Sequence, residues 1–199
     1  MNKLKVKGAL GIIAFILFFS GCTWQRIPTP PAYYVSKSLP IRIGIELGGT
    51  SESQVYGPLV VKHLKEMGVF DSVVYPYRDG DTVDGVIRLT IKGGWKGENA
   101  GVGFIKGAII GLSLFTLSPI IGPEMTGIHD ANVTLSKDIS VVVEYSIHLE
   151  TSVSWGLLAN TTEVSVKSTD LQLRKISVEI ANRIDKDRLR ILKEFGKAK

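Results

Sequence analysis

Ile139-Ser-Val-Val-Val-Glu-Tyr-Ser-Ile-His-Leu149 decides the fold. Its odd positions, Ile139, Val141, Val143, Tyr145, Ile147 and Leu149, are all apolar, and Ser140, Glu144, Ser146, His148 and Glu150 fill alternate ones. A period of two is that of a strand with one face buried and the other solvated. The buried face needs a cover. Leu173, Ile176, Ile180 and Ile184 form one stripe at helical spacing, and Lys186, Arg188, Arg190 and Lys193 suit the carboxyl end of that helix. A helix capped by Ser168 or Thr169 and packed on the long strand is therefore the expected centre of the fold.

Working outward, Ile41 to Leu47 alternates as a strand, and Gly48-Gly49-Thr50 breaks it. Ser51 with Gln54 fits a capping box. Pro58 opposes a helix begun there, since an interior proline costs about 3 kcal/mol, and would suit a helix that starts with it. Val60, Val61, Leu64 and Met67 share a face, and Gly68 is placed to terminate. Val69 to Tyr77 and Val83 to Lys92 read as strands on either side of the turn Arg78-Asp79-Gly80-Asp81. Thr151 to Trp155 turns or continues the long strand, and Thr161 to Lys167 alternates again through Val164 and Val166. The order is β-α-β-β-(excursion)-β-β-α. It predicts an α+β fold, a mixed sheet of four to five strands with two helices packed on one face.

The amino terminus carries an address. Met1 to Lys7 holds three lysines and no acid, Gly8 to Phe19 is an unbroken apolar run, and Phe19-Ser20-Gly21 leads into Cys22, the only cysteine. This is the pattern of a cleaved secretory signal. With the thiol at the cut it resembles a bacterial lipoprotein signal, in which the cysteine is acylated, with palmitate among its acyl groups, and becomes the new N-terminus. Phe19 departs from the leucine usual three residues earlier. Residues 1–21 are the expected signal peptide, 22–40 a spacer stiffened by Pro28, Pro30, Pro31 and Pro40, and 41–199 the domain. Removing residues 1–21 lowers the formal charge from +5 to +2, so the basic balance is no nucleic-acid signature. Cys22 also leaves no second thiol for a disulfide or a thiolate metal site.

Between the third strand and the long one lies an apolar, Gly-rich insertion, residues 93–132, too long for a plain loop. Gly103, Gly107 and Gly111 recur at every fourth position and would form a smooth stripe on a helix from Ala100 to Ser118. Such a helix spans about 28 Å, barely a hydrocarbon core, and Lys106 within it must snorkel or face a partner. Three fates stand open for it: folding over the domain's own sheet, membrane insertion with self-association, or covering an apolar ligand. A phosphate loop fails on spacing, because Lys106 stands where a dinucleotide fingerprint needs glycine.

Catalytic groupings do not emerge. His63 reads as a solvated helix residue, His148 as a polar-face strand residue, and His129-Asp130 as a pair in a turn. The acids are dispersed and no nucleophile motif appears, so neither an enzyme, a metal nor a cofactor is expected. A lipoprotein cysteine, a Pro-rich spacer, a βαβ start, long strands ending near Trp155 and a C-terminal helix together resemble small envelope lipoproteins. In layout they are similar to the penicillin-binding-protein activator lipoproteins and the curli-secretion pore lipoprotein. Trp155 matches the tryptophan that closes a strand hairpin there, and Glu150-Thr151-Ser152 replaces the usual Asp-Thr-Gly-type turn. The expectation is an envelope protein on a membrane through Cys22, acting on a protein partner without catalysis. Thr23 stands where an inner-membrane-retaining Asp is often found, so in a cell with two membranes the signal resembles an outer-membrane address facing the periplasm. The alternatives are a membrane-active homo-oligomer built on the 100–118 segment, and a carrier of an apolar ligand.

Overall fold

The computed structural model describes residues 25–29, 33, 37–113, 122–156 and 159–197. The expected signal peptide, residues 1–21, and Cys22 lie outside them, as do residues 114–121. The elements run β1 (Gln25–Arg26), β2 (Leu39–Leu47), α1 (Ser51–Met67), β3 (Phe70–Val74), β4 (Gly85–Gly97) and α2 (Ala100–Leu112). There follow β5 (Glu124–Lys137), β6 (Ser140–Trp155), α3 (Thr161–Lys186) and α4 (Arg188–Glu194). The six strands form one sheet in the order β1-β6-β5-β4-β2-β3. β2 is parallel to both β3 and β4, and β1 is antiparallel to β6, so the sheet is mixed and the fold α+β. The chain divides into two compact units. One holds residues up to Pro28, Trp95–Thr126 and Ser152–Ser168, and the other Thr29–Gly94, Gly127–Thr151 and Thr169–Lys199.

In the second unit the strand-helix-strand start holds. Ile41, Ile43 and Ile45 of β2 are buried while Arg42 and Glu46 are exposed. α1 begins one residue earlier than the Ser51 cap expected from sequence. Thr50 is the N-cap, its hydroxyl accepting from the Ser53 amide at 3.1 Å and donating to the Ile91 carbonyl at 2.8 Å. Ser53, fully buried, accepts from the Ile91 amide at 2.7 Å, which pins the helix to β4. Pro58 sits inside the helix rather than at its start. Gly68 ends it at φ 64°, a left-handed conformation that favours glycine.

The long strand keeps its register. Val143, Tyr145 and Ile147 are buried in one core with Leu173, Ile176, Ile180 and Ile184 of α3 and Leu64 of α1, while Glu144, Ser146 and His148 are exposed. Ile139 and Val141 belong to the same row but are exposed, because the row starts at the tip of the β5–β6 hairpin, where Asp138 takes φ 52°.

Three readings are corrected. Thr161–Lys167 is not a strand but the opening of α3, capped by Asn160, whose side chain accepts from the amides of Thr162 and Glu163 at 3.1 and 3.2 Å. Ser168 and Thr169 therefore lie mid-helix rather than at its cap. Val164 is buried and Val166 exposed, as a helix requires of residues two apart and a strand face forbids. The second correction is β5, which lies largely within the insertion and was given no strand. Its inward row is Gly127, His129, Ala131, Val133 and Leu135, too small and polar at the start to show a period of two. The third is the element count. The sheet has six strands against the four to five expected, and the described residues hold four helices, α2 lying where a helix from Ala100 was weighed and α4 where none was.

Candidate functional site

The segment with the most unusual exposure is α2, in the first unit. Asn99 starts it, its side chain accepting from the Gly101 amide at 2.9 Å and its carbonyl from the Gly103 amide at 2.9 Å. At roughly 100° per residue, Phe104, Ala108, Leu112, Ile105, Ile109 and Val102 fall in that order on an arc of about 160°. All six are exposed, Phe104 at 78% and Leu112 at 88%. Ile110, on the opposite side, is the helix's buried apolar anchor at 1%. The arc has no charge.

Lys106 lies at the border of the arc, on the buried side, and its ammonium is held by the carboxylates of Glu98 and of Glu124, the latter at 3.5 Å. The hydrogen bond to Glu98, ahead of the two carboxylate charges, raises its pKa above the ordinary lysine value. The lysine is thus paired within its own unit and does not reach out from the helix as a snorkelling residue would. Gly103 and Gly107 flank the buried line, and a Cβ added at Gly107 would meet nothing within 4 Å. Gly111 falls within the helix, with its surroundings outside the described ones. The described helix ends at Leu112, which makes it about 20 Å long. No helix among the described residues is long and apolar enough to cross a membrane.

β1 bears on the same unit. Gln25 and Arg26 lie in the stretch read as a spacer, yet they pair with Trp155 and Ser154 of β6. The Trp155 amide donates to the Pro123 carbonyl at 3.2 Å, and the next residue is Glu124, the partner of Lys106. β1 and the apolar helix are consequently linked through a short series of contacts inside one unit. Sequence spacing alone gives no sign of this, because two residues of strand in a proline-rich run have no readable period.

The histidines serve structure. His63 is not solvated as expected: it is buried on α1, its Nε2 3.1 Å from Asp170 Oδ1 and its Nδ1 3.4 Å from Glu66 Oε2. His129 sits in β5, not a turn, fully buried with its ring 5.3 Å from that of Tyr56 at 74°. Its neighbour Asp130 points out and meets His148 Nδ1 at 2.7 Å. Among the described residues no cluster of three metal-ligating side chains occurs. The second unit carries open cavities of about 420 and 390 Å³. Glu179, Arg183, Lys186 and Asp187 beside Tyr145 line the first, and the second mixes Glu46, Arg88 and Asp138 with Tyr77, Val86, Ile139 and Val141.

No family model matches the chain, and no curated protein matches it. Among solved structures it is similar to a minor lipoprotein from Acinetobacter baumannii. Identity is 11% and the TM-score 0.45, with 74% of this chain and 94% of that one covered. It is also similar to a Xanthomonas campestris protein of the DUF330 family, at 12% identity and TM-score 0.44 over 81% and 95% of the two chains. A third is rare lipoprotein B from Shewanella oneidensis, at 10% identity and TM-score 0.38 over 78% and 98%. The likeness is one of layout alone.

Proposed function

We propose that the chain is a lipid-anchored protein of the bacterial cell envelope, held by an acylated Cys22, whose α+β domain acts as a non-catalytic interaction or assembly module for an envelope protein. The observation that carries this reading is the placement of the signal's cysteine. Cys22 closes a basic and apolar leader and stands three residues before Gln25, which is already paired into the sheet. Thr23 after the cysteine favours the outer membrane, with the domain in the periplasm. Growth with labelled palmitate tests the anchor. The wild type takes up label, and Cys22→Ser remains an unlabelled precursor, since no other thiol exists. Label on Cys22→Ser would sink the lipoprotein reading, and gradient separation of the two membranes decides the address. In-cell crosslinking that yields no discrete heterologous species would count against the interaction role.

A second reading draws on the exposure of α2. Copies of the chain would pack in or on the membrane through Gly103, Gly107 and Gly111, with the open space at Gly107 leaving room for a neighbouring backbone. A detergent-solubilised chain that sediments as a monomer overturns it.

A further inference from the structure

We infer that the outward face of α2 lies in the headgroup boundary of the same bilayer that holds Cys22, as a second foothold beside the acyl anchor. The inference rests on the lipoprotein reading of Cys22 and adds to it a surface and its occupant.

The first argument is reach. Three residues from Cys22 to Gln25 span at most about 11 Å, so acylation at Cys22 brings β1 to the membrane surface. Gln25 pairs with Trp155, the Trp155 amide bonds to the Pro123 carbonyl, and Glu124 pairs with Lys106 on α2. Neighbouring strands stand about 4.8 Å apart, so Pro123 lies on the order of 10 Å from β1, and the Glu124–Lys106 ion pair carries the series on to α2. The anchor and the helix are therefore joined by a short series of contacts that all belong to one compact unit.

The second argument is the chemistry of the face. A helix on a soluble domain normally turns its apolar stripe inward and its charges outward. α2 does the reverse. Val102, Phe104, Ile105, Ile109 and Leu112 are exposed, and the one lysine is drawn down to Glu98 and Glu124. A face of large apolar side chains with its charge neutralised at the border enters the headgroup–acyl boundary without desolvating an ion. At about 20 Å the helix is too short to cross a hydrocarbon core of about 30 Å, and lying in the interface plane needs no such length. The glycines favour lipid over a second copy as well. Gly103 and Gly107 flank the buried line instead of occupying the middle of the arc, so bulky side chains make the outward contact and no smooth backbone track is presented there.

The test uses the full chain, expressed with its signal, purified in detergent and reconstituted into vesicles of phosphatidylethanolamine and phosphatidylglycerol. Acylation blocks the Cys22 sulfur, so Phe104→Cys and Leu112→Cys each take a single environment-sensitive fluorophore, and both sites are exposed enough to leave the core intact. Val55→Cys and Leu189→Cys, exposed apolar positions in the other unit, are the controls. On reconstitution the labels at 104 and 112 shift to the blue. They are quenched by lipids carrying a nitroxide near the headgroup at least about twofold more than the control labels. Labels at both positions that behave like the controls, on a chain whose N-terminal peptide has the mass of an acylated cysteine, overturn the inference alone. Energy transfer between labelled copies with no lipid quenching also overturns it and assigns the face to a second copy. An unmodified Cys22 brings down the lipoprotein reading and the inference with it.

Discussion

The hydroxyl of Tyr145 donates to Asp187 Oδ2 at 2.8 Å, tying the middle of β6 to the junction between α3 and α4. The same oxygen lies 3.3 Å from the Arg183 carbonyl. The apolar row of the long strand thus ends its most polar member on a specific partner, as a buried phenol requires.

Tyr145→Phe keeps the ring and loses that bond, and should cost about 1.5–3 kcal/mol, the range for a hydrogen bond to a charged acceptor. Burial, ahead of the Asp187 carboxylate, holds the Tyr145 hydroxyl above its usual pKa. The folded state thus prefers the neutral phenol. Its contribution is intact below the unfolded value of about 10 and declines as pH rises past it. Denaturant midpoints measured from pH 7 to 11 should fall more steeply for the wild type than for Tyr145→Phe. Parallel alkaline limbs would show that this hydroxyl is not responsible.

His129 gives the opposite limb. Burial, opposed by hydrogen bonding to Gln172 and by the Asp130 charge, lowers its pKa below that of a free histidine. The unfolded chain then takes up a proton near pH 6.5 that the folded chain resists, so stability is intact above about 6.5 and falls as the pH drops below it. His129→Phe, which keeps an aromatic edge for Tyr56, should remove that part of the acid dependence. Equal loss of stability between pH 7 and 5 in the two proteins would refute the assignment.

The register of the long strand is open to a simple comparison. Val143 is 4% exposed, and Val143→Ala should cost about 1–3 kcal/mol from lost burial and a partial cavity. Ser146→Ala on the solvated face, and Ile139→Ala at the fully exposed hairpin tip, should both stay within about 0.5 kcal/mol. A large loss at Ser146 would mean the faces are exchanged.

What could be read from the sequence follows the clarity of its periods. β6 and the stripe of α3 carry clean repeats of two and about 3.6, and the structure places them in one core. β5 was unreadable because Gly127, His129 and Ala131 stand where large apolar residues would mark its inner row. The start of α3 was misread because Val164 and Val166 imitate a strand, although Asn160 and the Glu163–Lys167 pair four residues apart are helix signals. At the candidate site, the charge-free run and the four-residue glycine spacing revealed a special helix. The pairing of Lys106 with Glu98 and Glu124 depends on where the ends of β4 and β5 lie in space, and only the folded chain brings these together.

Gly107 separates lipid from self-association at α2. A Cβ there meets nothing within 4 Å, so Gly107→Leu fits without moving its own unit. Leucine is also the better helix former by about 0.8 kcal/mol, so the variant should fold at least as well as the wild type. With the outward arc in the bilayer boundary, a leucine at its flank adds apolar surface and leaves vesicle association and oligomeric state unchanged. Were two copies packed backbone to backbone along the glycines, the same side chain would hold the helices apart and the assembly would dissociate. Sedimentation in detergent of the acylated wild type and of Gly107→Leu reads the difference directly. The expected outcome is the same species for both, and loss of a larger one in the variant would assign the face to a second copy of the chain.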